Sequence, residues 1–413
     1  MHILVSAYAC GPDWGSEVGM GWNWVCHLSR YCRLTVITEQ GFRESIERGM
    51  AGWEPEQRPQ FRYVDISDRA RERCWRQGDW RFYHDYRDWQ LRALTVAQQL
   101  AQTVSFDAVH QLNMIGYREP GYLWKLGLPF IWGPVGGHVQ MPWRFLPSLG
   151  LKSAAYHGCR NLINALQMRC SLRVACAARA ASIVVCATAA DMRALQRIHG
   201  VRPILIGETA TSPATAARVH QYDGTRPLRL AWCGKVLGRK ALPLALQALA
   251  RIKAPAHLDV IGSGPDEKRA RRLATALGID SLVSWHGHTQ HRQALEVIAD
   301  ADCLLFTSLQ EATSTVVMEA LSLGVAVLCH DTCGFGSVVD DSCGIKVPVR
   351  TPASSVTGFA DAISSLCNTP KTVECLSRGA LARAQQFTWD KKAREMVALY
   401  EIARDGRTIP EGA

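Results

Sequence analysis

Cys303-Leu304-Leu305-Phe306-Thr307-Ser308-Leu309-Gln310-Glu311-Ala312-Thr313-Ser314-Thr315-Val316-Val317-Met318-Glu319-Ala320-Leu321 is the stretch that decides the fold. Its first four residues read as a short buried strand. A loop carrying Glu311 follows, and small hydroxyl residues then open an apolar helix with Glu319 on its second turn. A strand that feeds a helix through a loop is half of a βαβ unit, and such units build parallel sheets. The helix start leaves backbone N–H groups unsatisfied at the positive end of the helix dipole, which suits a phosphate. Glu319 is placed to accept two hydrogen bonds from a ribose diol, and Glu311 to accept from sugar hydroxyls. The plainer reading stands beside this one: an exposed Glu311 and a Ser314 that only caps the helix.

Outward from that stretch the alternation continues. Strands are expected at Leu228–Cys233, His257–Ile261, Val283–Trp285 and Ala326–Cys329, with helices at Leu242–Ile252, Asp266–Leu277 and Gln290–Ile298. Tail helices follow at Ser354–Cys367 and Thr372–Gln386, and a last amphipathic one runs from Trp389 to Ala403. The first half repeats the pattern, with strands at Ile3–Ala7, Leu34–Thr38, Phe61–Val64, Ala108–His110, Pro129–Trp132 and Ser182–Cys186. Helices Glu17–Ser29 and Trp89–Thr103 lie between them. The small, polar, Pro-containing run Gly207–Pro227 breaks the alternation and reads as a linker. A chain of 413 residues suits two domains. The expected division is an N-terminal Rossmann-like domain over 1–207, a linker over 208–227 and a second Rossmann-like domain over 228–388. A helix over 389–413 would pack back on the first.

Composition narrows the class. Apolar residues make up 47% and charged ones 20%, which suits a packed α/β protein and excludes a disordered one. The start of the chain lacks the pattern of a secretory signal, and no apolar run is long enough to span a bilayer. The 15 cysteines are scattered without a Cys-x-x-Cys pair, so reduced thiols and a cytoplasmic location are expected. His286, His288 and His291 read as a polar loop, and no metal is expected. The net charge of +10 favours anionic partners. No acidic residue stands between Glu119 and Asp191. Within that stretch Leu166–Ala181 interleaves Arg169, Arg173 and Arg179 with apolar residues. It reads equally as a basic amphipathic helix on an anionic membrane surface or as an Ala-rich core helix. Arg69–Arg92 holds Trp75, Trp80, Phe82, Tyr83, Tyr86 and Trp89, rings that could stack on a sugar, fill a lipid groove or pack a core. No nucleic-acid motif accompanies the charge, so nucleic acid is not an expected partner.

Further residues gather at strand ends, where open α/β sheets bind ligands. Gly234-Lys235-Val236-Leu237-Gly238-Arg239-Lys240 follows the strand 228–233. Lys235 and Lys240 could neutralise a diphosphate, or could be two solvated lysines on a turn. Gly262-Ser263-Gly264-Pro265 follows the next strand, a weak signal alone. In the first half, Gly11-Pro12-Asp13-Trp14-Gly15-Ser16-Glu17-Val18-Gly19 opens a helix, with Gly15 and Ser16 at its start. His110 and His138 sit near the ends of two more strands, as sugar contacts or as structural histidines.

Together these segments resemble retaining glycosyltransferase family 4. The resemblance rests on Glu311-x7-Glu319, on Gly234-Lys235-x4-Lys240 and Gly262-Ser263-Gly264 upstream, and on Cys333-Gly-Phe-Gly-Ser-Val-Val-Asp340 downstream. Ala299–Asp302, Gly324–Val327 and Phe387–Trp389 also fit, so that it covers nearly all of 228–400. It implies a GT-B fold: an α/β protein with two Rossmann-like domains whose parallel sheets face a central cleft. It implies a nucleotide-sugar donor held by Lys235 and Lys240 on the diphosphate and by Glu319 on the ribose. Glu311 would lie beside the donor sugar, with backbone amides of Ser314, Thr315 and Val316 on phosphate. Gly15, Ser16, Gly234, Gly262 and Gly264 would let phosphates approach the backbone, and His138 or His110 would contact the transferring sugar. The acceptor would be a glycan or lipid-linked saccharide in surface polysaccharide synthesis, on the inner face of the cytoplasmic membrane, with no cofactor. Three departures stand out: Lys235 where Arg is usual, and Ala241 and Ser314 where Gly is common. Two other functions are weighed. A nucleotide-sugar-binding protein without catalysis would share the donor residues. A dinucleotide-dependent oxidoreductase would need Gly-x-Gly-x-x-Gly, and the spacing Gly11-x3-Gly15-x3-Gly19 is wrong for it.

Overall fold

The computed structural model of the chain describes residues 1–12, 14–75 and 79–407. Asp13 and the stretch 76–78 of the aromatic run lie outside the described residues, as do the last six residues of the C-terminal segment. Among the described residues the first sheet has strands β1 (His2–Ala7), β2 (Arg33–Glu39), β3 (Gln60–Val64), β4 (Ala108–Asn113), β5 (Phe130–Val135), β6 (Ile183–Cys186) and β7 (Ile204–Leu205). They are all parallel, in the order β3-β2-β1-β4-β5-β6-β7. The second sheet has β8 (Leu228–Cys233), β9 (Ala256–Ile261), β10 (Val283–Gly287), β11 (Cys303–Phe306), β12 (Ala326–His330) and β13 (Gly344–Val347). It too is parallel, in the order β10-β9-β8-β11-β12-β13. Strands β4, β5, β11 and β12 are buried at every residue, because helices cover both faces of each sheet. Two Rossmann-like parallel-sheet units of this kind are the components of a GT-B fold. Two short strands, β7 and β13, were not expected from the sequence.

The chain divides into two compact units. The first contains Met1–His138, Leu166–Glu208 and Trp389–Ala413, and the second Val139–Ala165 and Thr209–Thr388. The division differs from a simple cut at 207, because 139–165 clusters with the second unit. Met141, Phe145, Leu146 and Leu149 are the cause: they are buried in the core under β8, β9 and the helix Leu242–Leu249. The expected linker also differs. Tyr222 is buried in that same core, His220 N donates to Ser377 Oγ at 2.7 Å, and Thr211 Oγ1 donates to Ala384 O at 2.6 Å. Arg226 grips Asp302 at 2.6 and 2.7 Å. Polar composition hid a strap that is bonded to the second unit along its length.

In the first unit the C-terminal helix Trp389–Arg404 closes the fold. Lys392 Nζ donates to Gly207 O at 2.8 Å, and the rings of Trp389 and Trp24 meet edge-on at 5.7 Å. Half of the six rings of the aromatic run are core, and the side chain of Trp75 lies outside the described residues. Phe82, Tyr86 and Trp89 are buried around Tyr8, with Trp89 edge-on to it at 4.9 Å, while Trp80 and Tyr83 are exposed. Buried rings of this kind offer no platform to a sugar or a lipid. The basic segment Leu166–Ala181 is not one helix. One helix, Leu151–Cys170, ends there, and Ser171 caps a second, Leu172–Ala180. Arg173 turns inward to Glu119 at 2.5 Å and to Arg118 O at 2.7 Å.

Candidate functional site

The order of the second sheet reverses between β8 and β11, and ligands of open α/β sheets bind at such a reversal, beyond the carboxyl ends of the strands. The residues singled out by sequence gather there. β8 ends at Cys233, and Gly234 turns the chain with φ 150°. The following loop is laced to its neighbour: Gly234 N donates to Ile261 O at 2.9 Å and Val236 N to Ser263 O at 3.0 Å. Gly262 has φ 127°, and a Cβ on it would lie 2.1 Å from Gly234 O. A Cβ on Gly264 would lie 2.2 Å from Val236 O. These glycines let two backbone loops touch; a side chain at either would push the loops apart.

Lys240 is buried, and its ammonium lies over the Phe306 ring at 5.0 Å. Its Nζ contacts Glu311 Oε1 at 2.7 Å. Arg239 also holds Glu311, through Nη1, which additionally donates to Gln310 O at 2.9 Å. A carboxylate thus sits between two cations just beyond β11. Lys235 is exposed, and among the described residues no ion pair joins it to this cluster. Arg239 was missed by the sequence reading. The signal was its place in the basic run Gly238-Arg239-Lys240, one residue off the spacing that was weighed.

The helix Thr315–Leu323 begins without a side-chain cap. Ser314, offered as a cap in the plain reading, instead adopts φ 78° and makes no capping bond. Thr315, Val316 and Glu319 are carried as expected, on the first two turns. Glu319 Oε1 meets His291 Nε2 at 2.8 Å, and this partner raises the His291 pKa. Cys233 senses both Glu319 and Lys240, although burial is what pushes its thiol up to about 12. His286 belongs elsewhere, bonded to Asp259 at 2.7 Å. No group of three or more His, Cys, Asp or Glu is arranged to hold a metal among the described residues.

In the first unit, Gly15 precedes the helix Ser16–Leu28 and has open space where a Cβ would stand. Ser16 has φ 56°. Glu17 accepts from Ile115 N at 2.7 Å, and burial raises its carboxyl to about 7. His110 is fully buried in β4, between Gly133 O and Tyr400 OH, each at 2.6 Å. Burial lowers its pKa to about 4, so it is neutral and has both ring nitrogens engaged. It ties the last helix to the sheet, and that corrects its candidacy as a sugar contact. His138 lies beyond β5, stacked on Tyr117 at 4.4 Å. Its Nδ1 and its backbone N both donate to Asp191 Oδ1 at 2.9 Å. Asp191 was another missed residue; it fixes the ring of His138, whose side chain is buried.

The sequence profile of the family described as Glycosyl transferases group 1 matches residues 225–383. A D-inositol 3-phosphate glycosyltransferase from Kribbella flavida is 25% identical over 47% of the chain and 48% of its own length. A GDP-mannose-dependent alpha-(1-6)-phosphatidylinositol dimannoside mannosyltransferase from Mycobacterium tuberculosis is 26% identical over 52% of the chain and 56% of its own length. The chain thus spans about half the length of these curated relatives. Among solved structures, HepE from Anabaena in complex with UDP superimposes with TM-score 0.63 at 15% identity, covering 97% of this chain and 100% of its own. The lipopolysaccharide outer core galactosyltransferase WaaB does so with TM-score 0.65 at 15% identity, covering 97% and 99%. At such identity the structural likeness shows a shared fold.

Proposed function

We propose that the chain is a retaining, metal-independent glycosyltransferase of family 4. It would move a hexosyl group from a UDP- or GDP-linked sugar to a hydroxyl of a glycan or lipid-linked saccharide in surface-polysaccharide synthesis. The observation that carries this reading is the meeting of Lys240, Arg239 and Glu311 at the switch point between β8 and β11, beside an uncapped helix start that bears Glu319. A nucleoside diphosphate has the complementary chemistry. Its phosphates suit the helix start and the cations, and its ribose diol suits Glu319.

In this mechanism the bond from sugar C1 to the diphosphate breaks while the acceptor hydroxyl bonds to C1 on the same face. The hydroxyl proton passes to the departing diphosphate oxygen. Lys240 stabilises the charge that builds on that group. Glu311, released from Lys240, turns its carboxylate to sugar hydroxyls, and Arg239 keeps it in place. Lys235 is exposed and takes a smaller share of the diphosphate.

A thermal-shift screen across nucleotides and nucleotide sugars tests the reading. One UDP- or GDP-linked sugar should raise the melting temperature, and Lys240→Ala should abolish that shift while leaving the unliganded melting curve close to wild type. Turnover with a lipid extract as acceptor, followed by NMR of the product anomer, should show retained configuration. An unchanged shift in Lys240→Ala overturns the diphosphate assignment. Donor binding without turnover would favour a binding protein.

A further inference from the structure

The helix Leu151–Cys170 turns a mixed face inward, where Met168 is buried beside polar side chains. His157, Asn161 and Asn164 are buried. Asn161 Oδ1 accepts from Met141 N at 3.1 Å and its Nδ2 donates to Met141 O at 2.8 Å, which anchors this face. The opposite face is apolar and open to solvent. Leu151 is 91% exposed, Leu162 64%, Ile163 55% and Tyr156 51%. With about 100° between successive residues, these side chains and the exposed Cys159 share one stripe. Trp143, 52% exposed, stands at its border, where a Cβ on Gly158 would lie 3.9 Å from the indole. The stripe runs on through the exposed Leu166. Surface helices normally bury such a stripe, and an apolar patch left open marks a surface that something else covers.

Charge identifies the partner. Lys152 lies among the apolar residues, and Arg144 and Arg160 flank them. The sequence offers no carboxylate between Glu119 and Asp191 to pair with these cations. A second copy of the chain would set cations against cations. A bilayer rich in anionic lipid satisfies both features: the acyl boundary accepts the leucines and Trp143, and headgroup phosphates meet the cations. No helix among the described residues is long and apolar enough to cross a membrane. We propose that the segment from Trp143 to Ile163 docks the chain on an anionic lipid bilayer. The residues named from Trp143 to Ile163 lie in the second unit, and the proposal does not depend on the transferase reading.

Co-sedimentation of the full chain with vesicles tests it. The chain should bind vesicles of mixed phosphatidylglycerol and phosphatidylcholine, should bind pure phosphatidylcholine far less, and should release as salt rises. Leu162→Glu with Ile163→Glu should lower partitioning about tenfold or more. Lys152→Ala or Arg160→Ala should each lower it about fivefold. Lys152, Leu162 and Ile163 are exposed and Arg160 is half-buried, so thermal melts of the variants should stay close to wild type. Absence of binding to the anionic vesicles, or equal binding by the glutamate variant, overturns the proposal. So does light scattering that shows a dimer converted to monomer by the glutamates without any vesicle binding.

Discussion

Ala241 and Ser314 hold backbone conformations that suit glycine, with φ 50° and φ 78°. Each lies on a turn of the candidate site: Ala241 joins the Gly238–Lys240 turn to its helix, and Ser314 opens the helix of Glu319. An L-residue there crowds its own carbonyl, at a cost of about 1–2 kcal/mol. The preference for Gly implied by the family resemblance thus has a steric cause, and this chain departs from it at both turns. Ala241→Gly should relieve strain at the cost of one buried core methyl. After the entropy that glycine adds to the unfolded chain, a gain of about 1 kcal/mol is expected. Calorimetry should show a rise of about 2–4 °C in the transition of the second unit. A fall would mean that the Ala241 methyl, which is buried, packs for more than the strain costs.

At the scale of elements, the strand ends and the glycine loops set the site. Gly262→Ala places a methyl against Gly234 O, where the gap for a Cβ is 2.1 Å, in a backbone at φ 127°. Strain and clash together should cost about 2 kcal/mol or more and should open the loop pair. The expected result is a lower melting temperature for the second unit and loss of any nucleotide-induced shift. The helix pair carrying His291 and Glu319 gives a second expectation. The pKa of His291 is raised by Glu319, so their bond is strongest while His291 is protonated and weakens as pH rises through that raised value. A ribose must compete for Glu319. Titration calorimetry with the nucleotide selected by the screen should therefore show tighter binding at about pH 8 than at about pH 6. His291→Ala should flatten that difference. These elements were legible in the sequence because strand, glycine turn and helix follow one another within a few residues. β8 and β11 have the spans that their apolar runs imply. What was illegible depends on contacts distant in the chain. Arg239 and Asp191 are ordinary residues until folding sets them against Glu311 and His138. The helix Leu151–Cys170 shows its apolar stripe to solvent, so hydrophobic periodicity could not reveal which face lies inward.

At the scale of the whole molecule, the order of residues and the membership of the two units disagree, and stability should follow membership. The second unit borrows 139–165 from the first half of the sequence. Met141 and Phe145 are fully buried in its core, and Leu146 and Leu149 nearly so. Arg269 fastens the segment by donating to Leu149 O at 2.5 Å and Ser148 O at 3.1 Å, and Gln310 donates to Val139 O at 2.6 Å. Burying each large apolar side chain is worth roughly 1.5–3 kcal/mol. Four of them amount to roughly 6–12 kcal/mol, comparable to the roughly 5–15 kcal/mol stability of an entire domain. A fragment of residues 209–388 holds all the strands of the second sheet together with Lys235, Arg239, Lys240, Glu311 and Glu319, yet it lacks those side chains. It should show helical circular dichroism without a cooperative melt. A fragment of residues 139–388, which restores the segment, should melt cooperatively. The first unit makes the parallel case, since Tyr400 and Lys392 return from the C-terminal helix to His110 and Gly207. Ending the chain at Thr388 leaves His110 Nδ1 without its hydroxyl partner in a buried site and uncovers the faces that Trp389 and Met396 fill. Calorimetry of that truncated chain should lose the first unit's transition and keep the second's. Two intact transitions would show that the core of the first unit stands without its last helix.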